Sequence, residues 1–249
     1  MNATENTGHL DIGGVFSATT EIYKKCFGTV WVVALLLLVP TAIIVALLGN
    51  GGLLGIIGLL IQIIASAWLI GSVIRIVQDV EEDGSVDWSV GEILGSVTPK
   101  LVSIILLQIV LAILIGFGLI LLIIPGVILS LMWVVATPSL VVEDKGVFDS
   151  MSRSFELTKG NWLRILWVGI IILLAWWGIV AVGGILVSFV PVLGAIVLIV
   201  LGVLIYPYIS IIATVLYYRL RDLKDGVAVA VEETVIVEET TDPGQPPAV

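Results

Sequence analysis

VFDSMSRSFELTKGN, residues 147–161, concentrates charge and hydroxyl groups in a chain that is otherwise mostly leucine, isoleucine, valine and glycine. Arg153, Lys159 and Arg164 follow one another along this passage and into the apolar run after it, beside Phe148, Met151 and Phe155. Cations placed this way at a membrane boundary could clasp an anionic headgroup phosphate through charge-assisted hydrogen bonds. The plainer reading is that they do no more than anchor helix ends. Glu143 and Asp144 lie just upstream and could neutralise Arg153 or Lys145 within the chain. The residue types leave these readings open.

Catalytic chemistry has little to draw on. Ser152 and Ser154 lack a histidine to activate them, since the chain's one histidine, His9, falls in a polar N-terminal tail. A metal centre needs clustered His, Cys or carboxylates, and the single cysteine, Cys26, stands at the start of an apolar run. Glu81, Glu82, Asp83 and Asp87 could gather a divalent cation loosely, but an acidic loop of this kind is ordinarily just solvated. No catalytic residue, metal or cofactor is therefore expected. Within the apolar runs the most polar side chains are Gln62 and Gln108, which suit interhelical hydrogen bonds worth roughly 0.6–2 kcal/mol in a membrane, or a contact to a solute.

The elements that must position these residues follow from the distribution of charge. With 249 residues, 59% apolar and 12% charged, the chain carries too little charge to cover a soluble domain, which averages about 25%. No Asp, Glu, Lys or Arg occurs from Cys26 to Ile74, from Leu101 to Val142, or from Ile165 to Tyr218. A bilayer core about 30 Å thick takes about 20 helical residues per crossing, so each run accommodates two crossings. Turn signals near the middle of each run, GNGG at 49–52, IPG at 124–126 and VPVLG at 190–194, divide them. The expected fold is all-α, a polytopic membrane protein of six transmembrane helices arranged as three hairpins. The helices are placed near 28–48, 53–77, 101–123, 126–142, 162–188 and 195–218, with Pro125 in a first turn and kinks expected at Pro138 and Pro207.

All eleven Lys and Arg fall on the side of the membrane opposite the hairpin tips. The positive-inside rule makes that side cytoplasmic, with both termini inside, and the net charge of −9 does not alter this because the rule counts only cations. Residues 1–14 form a polar tail without signal-peptide character, 15–221 the six-helix membrane domain, and 222–249 an acidic, mostly disordered tail.

Each hairpin is preceded by a short amphipathic segment. Val15, Thr19, Ile22, Tyr23, Cys26 and Phe27 share one face before the first; Val90, Ile93, Leu94, Val97 and Leu101 recur at helical spacing before the second; Phe148, Met151 and Phe155 form a stripe before the third. Asp149 and Arg153 are spaced as an i, i+4 ion pair. The pattern predicts three repeats in which a cytoplasmic interfacial helix lies with its apolar face in the headgroup boundary and then turns into a membrane hairpin.

Residues 123–166, IIPGVILSLMWVVATPSLVVEDKGVFDSMSRSFELTKGNWLRIL, resemble the membrane domain found with some bacterial glycerophosphoryl diester phosphodiesterases and the YciC-type uncharacterised integral membrane proteins. The matching features are Pro125-Gly126, the late Pro138, Glu143, Arg153-Ser154, Leu157-Thr158 and Gly160. The resemblance implies the six-helix layout and a prokaryotic cytoplasmic (inner) membrane. In the fused relatives catalysis belongs to a separate barrel with carboxylate and histidine ligands, which this chain lacks, so the resemblance implies no enzyme activity here.

Two functions fit these observations. The first is a non-catalytic integral membrane protein that organises or binds lipid headgroups or partner proteins at the cytoplasmic surface, with Arg153, Lys159, Arg164 and Glu143 as the binding residues. Its partners would be membrane lipids, with another membrane protein or a second copy as a further partner, and not nucleic acid. The second is a carrier or exporter of an amphipathic solute passing near Gln62 and Gln108.

Overall fold

A computed structural model describes residues 10–48, 51–190 and 205–226. All of its regular structure there is helical: α1 (Ile12–Leu48), α2 (Gly52–Asp83), α3 (Val90–Val97), α4 (Leu101–Leu121), α5 (Ile123–Met132), α6 (Ala136–Val142), α7 (Val147–Thr158), α8 (Trp162–Phe189) and α9 over 205–226. Five segments among the described residues are long and apolar enough to cross a membrane: Ile12–Leu48, Gly52–Asp83, Val90–Leu121, Ile123–Val142 and Trp162–Phe189. The expected sixth crossing, 195–218, falls outside the described residues up to 204, and His9, positions 49–50 and 191–194 of the tips and the tail beyond 226 fall outside them altogether.

The predicted interfacial helices differ from what forms. The first is no separate element, because nothing breaks the helix between Val15 and Val30, and α1 runs unbroken for 37 residues, about 55 Å at 1.5 Å per residue. Its amphipathic face is buried against other helices at Val15, Thr19, Ile22 and Cys26, rather than laid in headgroups. Likewise α3 buries Ile93 and Val97, and the Trp68 indole of α2 donates to the Leu94 carbonyl (3.2 Å), holding α3 against α2. A capping box between Ser89 and Glu92 starts α3, and a 3-10 turn over Thr98–Lys100 passes it into α4.

Two cores form, with α2 between them. Leu69, Val73, Ile76, Val77 and Val80 face the larger core, built with α1, α8 and α9; Ala67 and Ile74 face a smaller one built with α4, α6 and α7. Gly71 permits this close approach, since a Cβ there would stand 2.5 Å from Val97 Cγ1. Buried positions cluster toward the charged ends of the helices, at 15–34, 65–80, 104–107 and 211–220. Toward the tips the apolar side chains stay exposed, as at Leu47, Leu53, Ile120 and Phe189, which is the surface that lipid chains cover in a membrane.

The α2 helix continues six residues past the expected end. An Arg75 to Gln78 to Glu82 hydrogen-bond chain supports its last turns, and Gly84, in the left-handed region at φ 79°, caps it. Buried Asp79 then accepts from the Asp87 backbone N–H (2.8 Å), folding the following loop back.

The α4–α5 hairpin turns on one extended residue, Leu122, with Pro125 in the first turn of α5 as expected. Gly126 is required there, because a Cβ would lie 2.5 Å from the Leu119 backbone nitrogen.

The fourth crossing is not one kinked helix but two, broken at Trp133–Val135. Pro138 supplies the reason: it has no N–H, and its ring clashes with the carbonyl of Val134 four residues earlier. The Ala136 N–H turns to Trp133 O (3.1 Å), which strands the Met132 carbonyl. Helix α7 recaptures it, with the Ser154 hydroxyl donating at 2.9 Å and the Thr158 hydroxyl within 3.3 Å. The seated face of α7 is consequently Ser150, Met151, Ser154, Leu157 and Thr158, while Phe148, predicted to point into the headgroups as part of the apolar stripe, is 74% exposed. Either hydroxyl can serve Met132 alone, so Ser154→Ala or Thr158→Val singly should have little effect. The double change should cost about 1–3 kcal/mol, the penalty of a buried acceptor left without a donor, read as a lowered thermal midpoint of the detergent-solubilised protein. A double variant as stable as its parent would show that the carbonyl does not need α7.

Candidate functional site

Seating α7 brings Arg153 to the junction of three elements. Its Nε donates to Glu143 Oε1 (2.9 Å), just past the end of α6, and its Nη2 to Asp225 Oδ2 (2.7 Å), near the end of α9. Glu143 also accepts from the Tyr217 hydroxyl (2.7 Å) and is paired with Lys145. Tyr217 is fully buried, and the Arg221 guanidinium lies over the neighbouring Tyr218 ring at 4.7 Å. Two alternatives for Glu143, Arg153 or Lys145, thus both form. The i, i+4 pair between Asp149 and Arg153 is absent from the ion pairs of the described residues; Asp149 instead occupies the first turn of α7, where a carboxylate complements the helix dipole.

Desolvation by itself would raise the Glu143 carboxyl, but hydrogen bonds from Lys145, Arg153 and Tyr217 and the charge of Arg153 outweigh it, and the net shift is downward. The same partners act reciprocally on Arg153: burial would lower it, while Asp225 and Glu143 raise it. On the other side of Glu143, Asp144 adopts φ 55° and its carboxylate meets Lys100 at 2.7 Å, a contact that holds it below the usual range. Lys100 also donates to the Val141 carbonyl (3.0 Å), capping the end of α6 from α4.

The three cations of the expected clasp are not brought together. The Arg164 guanidinium donates to the Leu10 carbonyl (2.6 Å), and the Asn161 side chain accepts from the Leu10 N–H (3.3 Å), so this pair binds the chain segment entering α1. Lys159 is exposed and joins no ion pair among the described residues. Its neighbour Gly160 sits at φ 90°, and Lys224 of α9 reaches over it, with Nζ 4.0 Å from where a Cβ would be. Lys159 and Lys224 thus stand at the α7–α8 turn, with Arg153 more than a helical turn earlier on α7. Of the two amides, Gln62 lies on an exposed face of α2, and the Nε2 of Gln108 is buried with no hydrogen-bond partner, so neither makes the expected interhelical bond among the described residues. Trp162 packs its ring 6.3 Å from Phe155, and Trp88 is half exposed.

Reading the sequence missed Tyr217, Asp225 and the Leu10 backbone. Asp225 follows the membrane run closely and carried a signal, a carboxylate beside Lys224, but its partner is 72 residues away. No group of three or more His, Cys, Asp or Glu that could hold a metal ion occurs among the described residues.

The lowered Glu143 carboxyl makes stability depend on acid in a stated direction. A carboxyl depressed on folding contributes stability that is complete above its unfolded value, about 4.3, and is lost as the pH falls through the folded value. The thermal midpoint should therefore be flat in this respect from pH 7 to about 5 and drop below about pH 4. Glu143→Gln should lower the midpoint at neutral pH and shallow the acid decline. An equally steep decline in that variant would remove Glu143 as a cause.

Comparison with known proteins agrees with a membrane protein. The chain is similar over 105 residues, at 32% identity, to a UPF0259 membrane protein of Photorhabdus laumondii subsp. laumondii; the match covers 42% of this chain and 40% of that relative. The matched part is thus about two fifths of the relative's length. No solved structure matches. Neither match names the phosphodiesterase-associated membrane domain. The model of an uncharacterised protein family, UPF0259, matches residues 53–222, which takes in most of α2, the broken fourth crossing, α7 and the Arg153 junction as far as Asp222. Matched over more than half its length, the chain belongs to the UPF0259 family of membrane proteins.

Proposed function

We propose that this chain is a non-catalytic membrane protein that binds the phosphate of anionic lipid headgroups at its charged, cytoplasmic end. The observation that carries this reading is the Arg153 guanidinium, held by Glu143 at one nitrogen on the helix that leads into the α7–α8 turn, where the cations Lys159 and Lys224 are exposed. A pre-oriented guanidinium with mobile ammonium groups beside it suits a phosphate, which accepts several charge-assisted hydrogen bonds at once. Exposed Leu163, just past that turn, suits entry into the acyl boundary.

On this reading three hairpins cross the cytoplasmic membrane of a prokaryote six times, with both termini inside. A carrier function is the second reading, favoured by the break at Trp133–Val135 and the unpartnered Gln108 amide, since interrupted helices line solute paths in transporters. Vesicle flux of an amphipathic solute that fails with Gln108→Leu but survives Lys159→Ala would establish it in place of headgroup binding.

Headgroup binding is tested on the purified full chain in neutral detergent with short-chain phosphatidylglycerol and phosphatidylcholine. Phosphatidylglycerol should bind more tightly, and Lys159→Ala with Lys224→Ala should weaken it roughly thirtyfold, at about 1 kcal/mol per cation. Equal affinity for the two lipids would sink the proposal. Orientation has a separate test with single cysteines at Asn50 and at exposed Ser152; the native Cys26 is fully buried and stays. An impermeant thiol reagent added to intact cells should label position 50 and spare 152. The reverse pattern would place the charged end outside.

A further inference from the structure

We infer that Asp225 is a built-in competitor at this site, a carboxylate occupying the place on Arg153 that a headgroup phosphate takes, so that lipid binding releases the last turn of α9. This rests on the headgroup reading and adds to it how the site is controlled. The two carboxylates on Arg153 are unequal. Glu143 is 16% exposed and gathers Arg153, Lys145 and Tyr217, whereas Asp225 is 49% exposed and has Arg153 as its one ion-pair partner among the described residues.

Removing Glu143 from the junction would leave three donors unmatched, while removing Asp225 frees one half-solvated ion pair. The exchangeable ligand is therefore Asp225. Arg153 is suited to such an exchange. Its Nε stays on Glu143, its Nη2 is vacated by Asp225, and its Nη1 donates to none of the described residues. A phosphate arriving there can accept from both Nη atoms, a two-point contact that the present Asp225 geometry does not make. The neighbouring Lys224 and Lys159 then face a phosphate in place of a carboxylate. Helix α9 remains attached upstream, since the Tyr217 hydroxyl keeps its bond to Glu143 and the Tyr23 and Tyr208 rings stay in edge contact at 5.4 Å. Only the turn beyond Arg221 is uncoupled.

The decisive comparison is Asp225→Asn against Asp222→Asn in the full-length, detergent-solubilised protein. Both remove one negative charge from an exposed or half-exposed position near the end of α9, but Asp222 lies 3.9 Å from Arg221 and does not touch Arg153. Asp225→Asn should bind short-chain phosphatidylglycerol about three- to fivefold more tightly than the parent, the size of a half-exposed ion pair, with Asp222→Asn close to the parent. Amide exchange over 219–226 should quicken in the parent when phosphatidylglycerol is added, and should already be quick in Asp225→Asn without it. Dimethyl phosphate, a phosphodiester without acyl chains, separates the sources. Faster exchange with it as well assigns the effect to the phosphoryl group alone, and a response to the lipid only assigns it to the membrane headgroup; both support the competition. Equal phosphatidylglycerol affinity in parent and Asp225→Asn, or equal tightening by Asp222→Asn, overturns the competition and leaves headgroup binding standing. Absence of binding to parent and variant alike overturns both.

Discussion

A single stranded carbonyl organises the charged end of this protein. In a low-dielectric interior an unmatched backbone acceptor costs several times what a hydrogen bond gains on balance, so the Met132 oxygen exposed by Pro138 must find a donor. It finds two on α7, and that requirement turns the Ser154 and Thr158 face of α7 inward. Everything at the junction follows from this rotation. Arg153 is one residue from Ser154, so once that face is docked the guanidinium is carried to Glu143 and the end of α9.

The junction then ties distant parts of the chain through polar groups on a small area. Glu143 links α6, α7 and α9 by way of Arg153 and Tyr217, Lys100 links α4 to the end of α6, and Arg164 with Asn161 links the start of α8 to Leu10, two residues before α1. Packing within the protein is concentrated at the same end, while the tip halves leave their apolar side chains exposed. Such a division suits a bilayer. Lipid chains satisfy apolar surface without any need for helix contact, whereas backbone and charged groups near the boundary require specific partners.

This arrangement also sets what the charged passage can do chemically. Three of its hydroxyls are bonded to carbonyls, Ser150 to Gly146 and Ser154 and Thr158 to Met132, and its arginine to carboxylates. Among the described residues, Arg153 Nη1, the exposed Ser152 hydroxyl and the exposed Lys159 ammonium of this passage keep no intramolecular partner.

The sequence by itself determined the solvent of this protein and the approximate course of its helices. Charge-free runs of more than 40 residues can only be helical in a membrane, and Pro125 and Gly126 mark a sharp turn wherever they are read, because these effects are local to the chain. It also pointed to Arg153 and Glu143, and offered the pair among its alternatives. Tertiary structure alone decided which face of α7 is inside. Periodicity set Phe148, Met151 and Phe155 as one stripe facing the headgroups, yet an acceptor 22 residues upstream draws Ser154 inward, and Met151 goes in with it while Phe148 stays exposed. It decided equally that Arg164 holds the backbone at Leu10, 154 positions away, and that Tyr217 and Asp225 complete the Arg153 junction. Amphipathic spacing shows that a face will be covered. Whether lipid or protein covers it depends on which unmatched polar groups the rest of the fold presents, and those are created only when the helices meet.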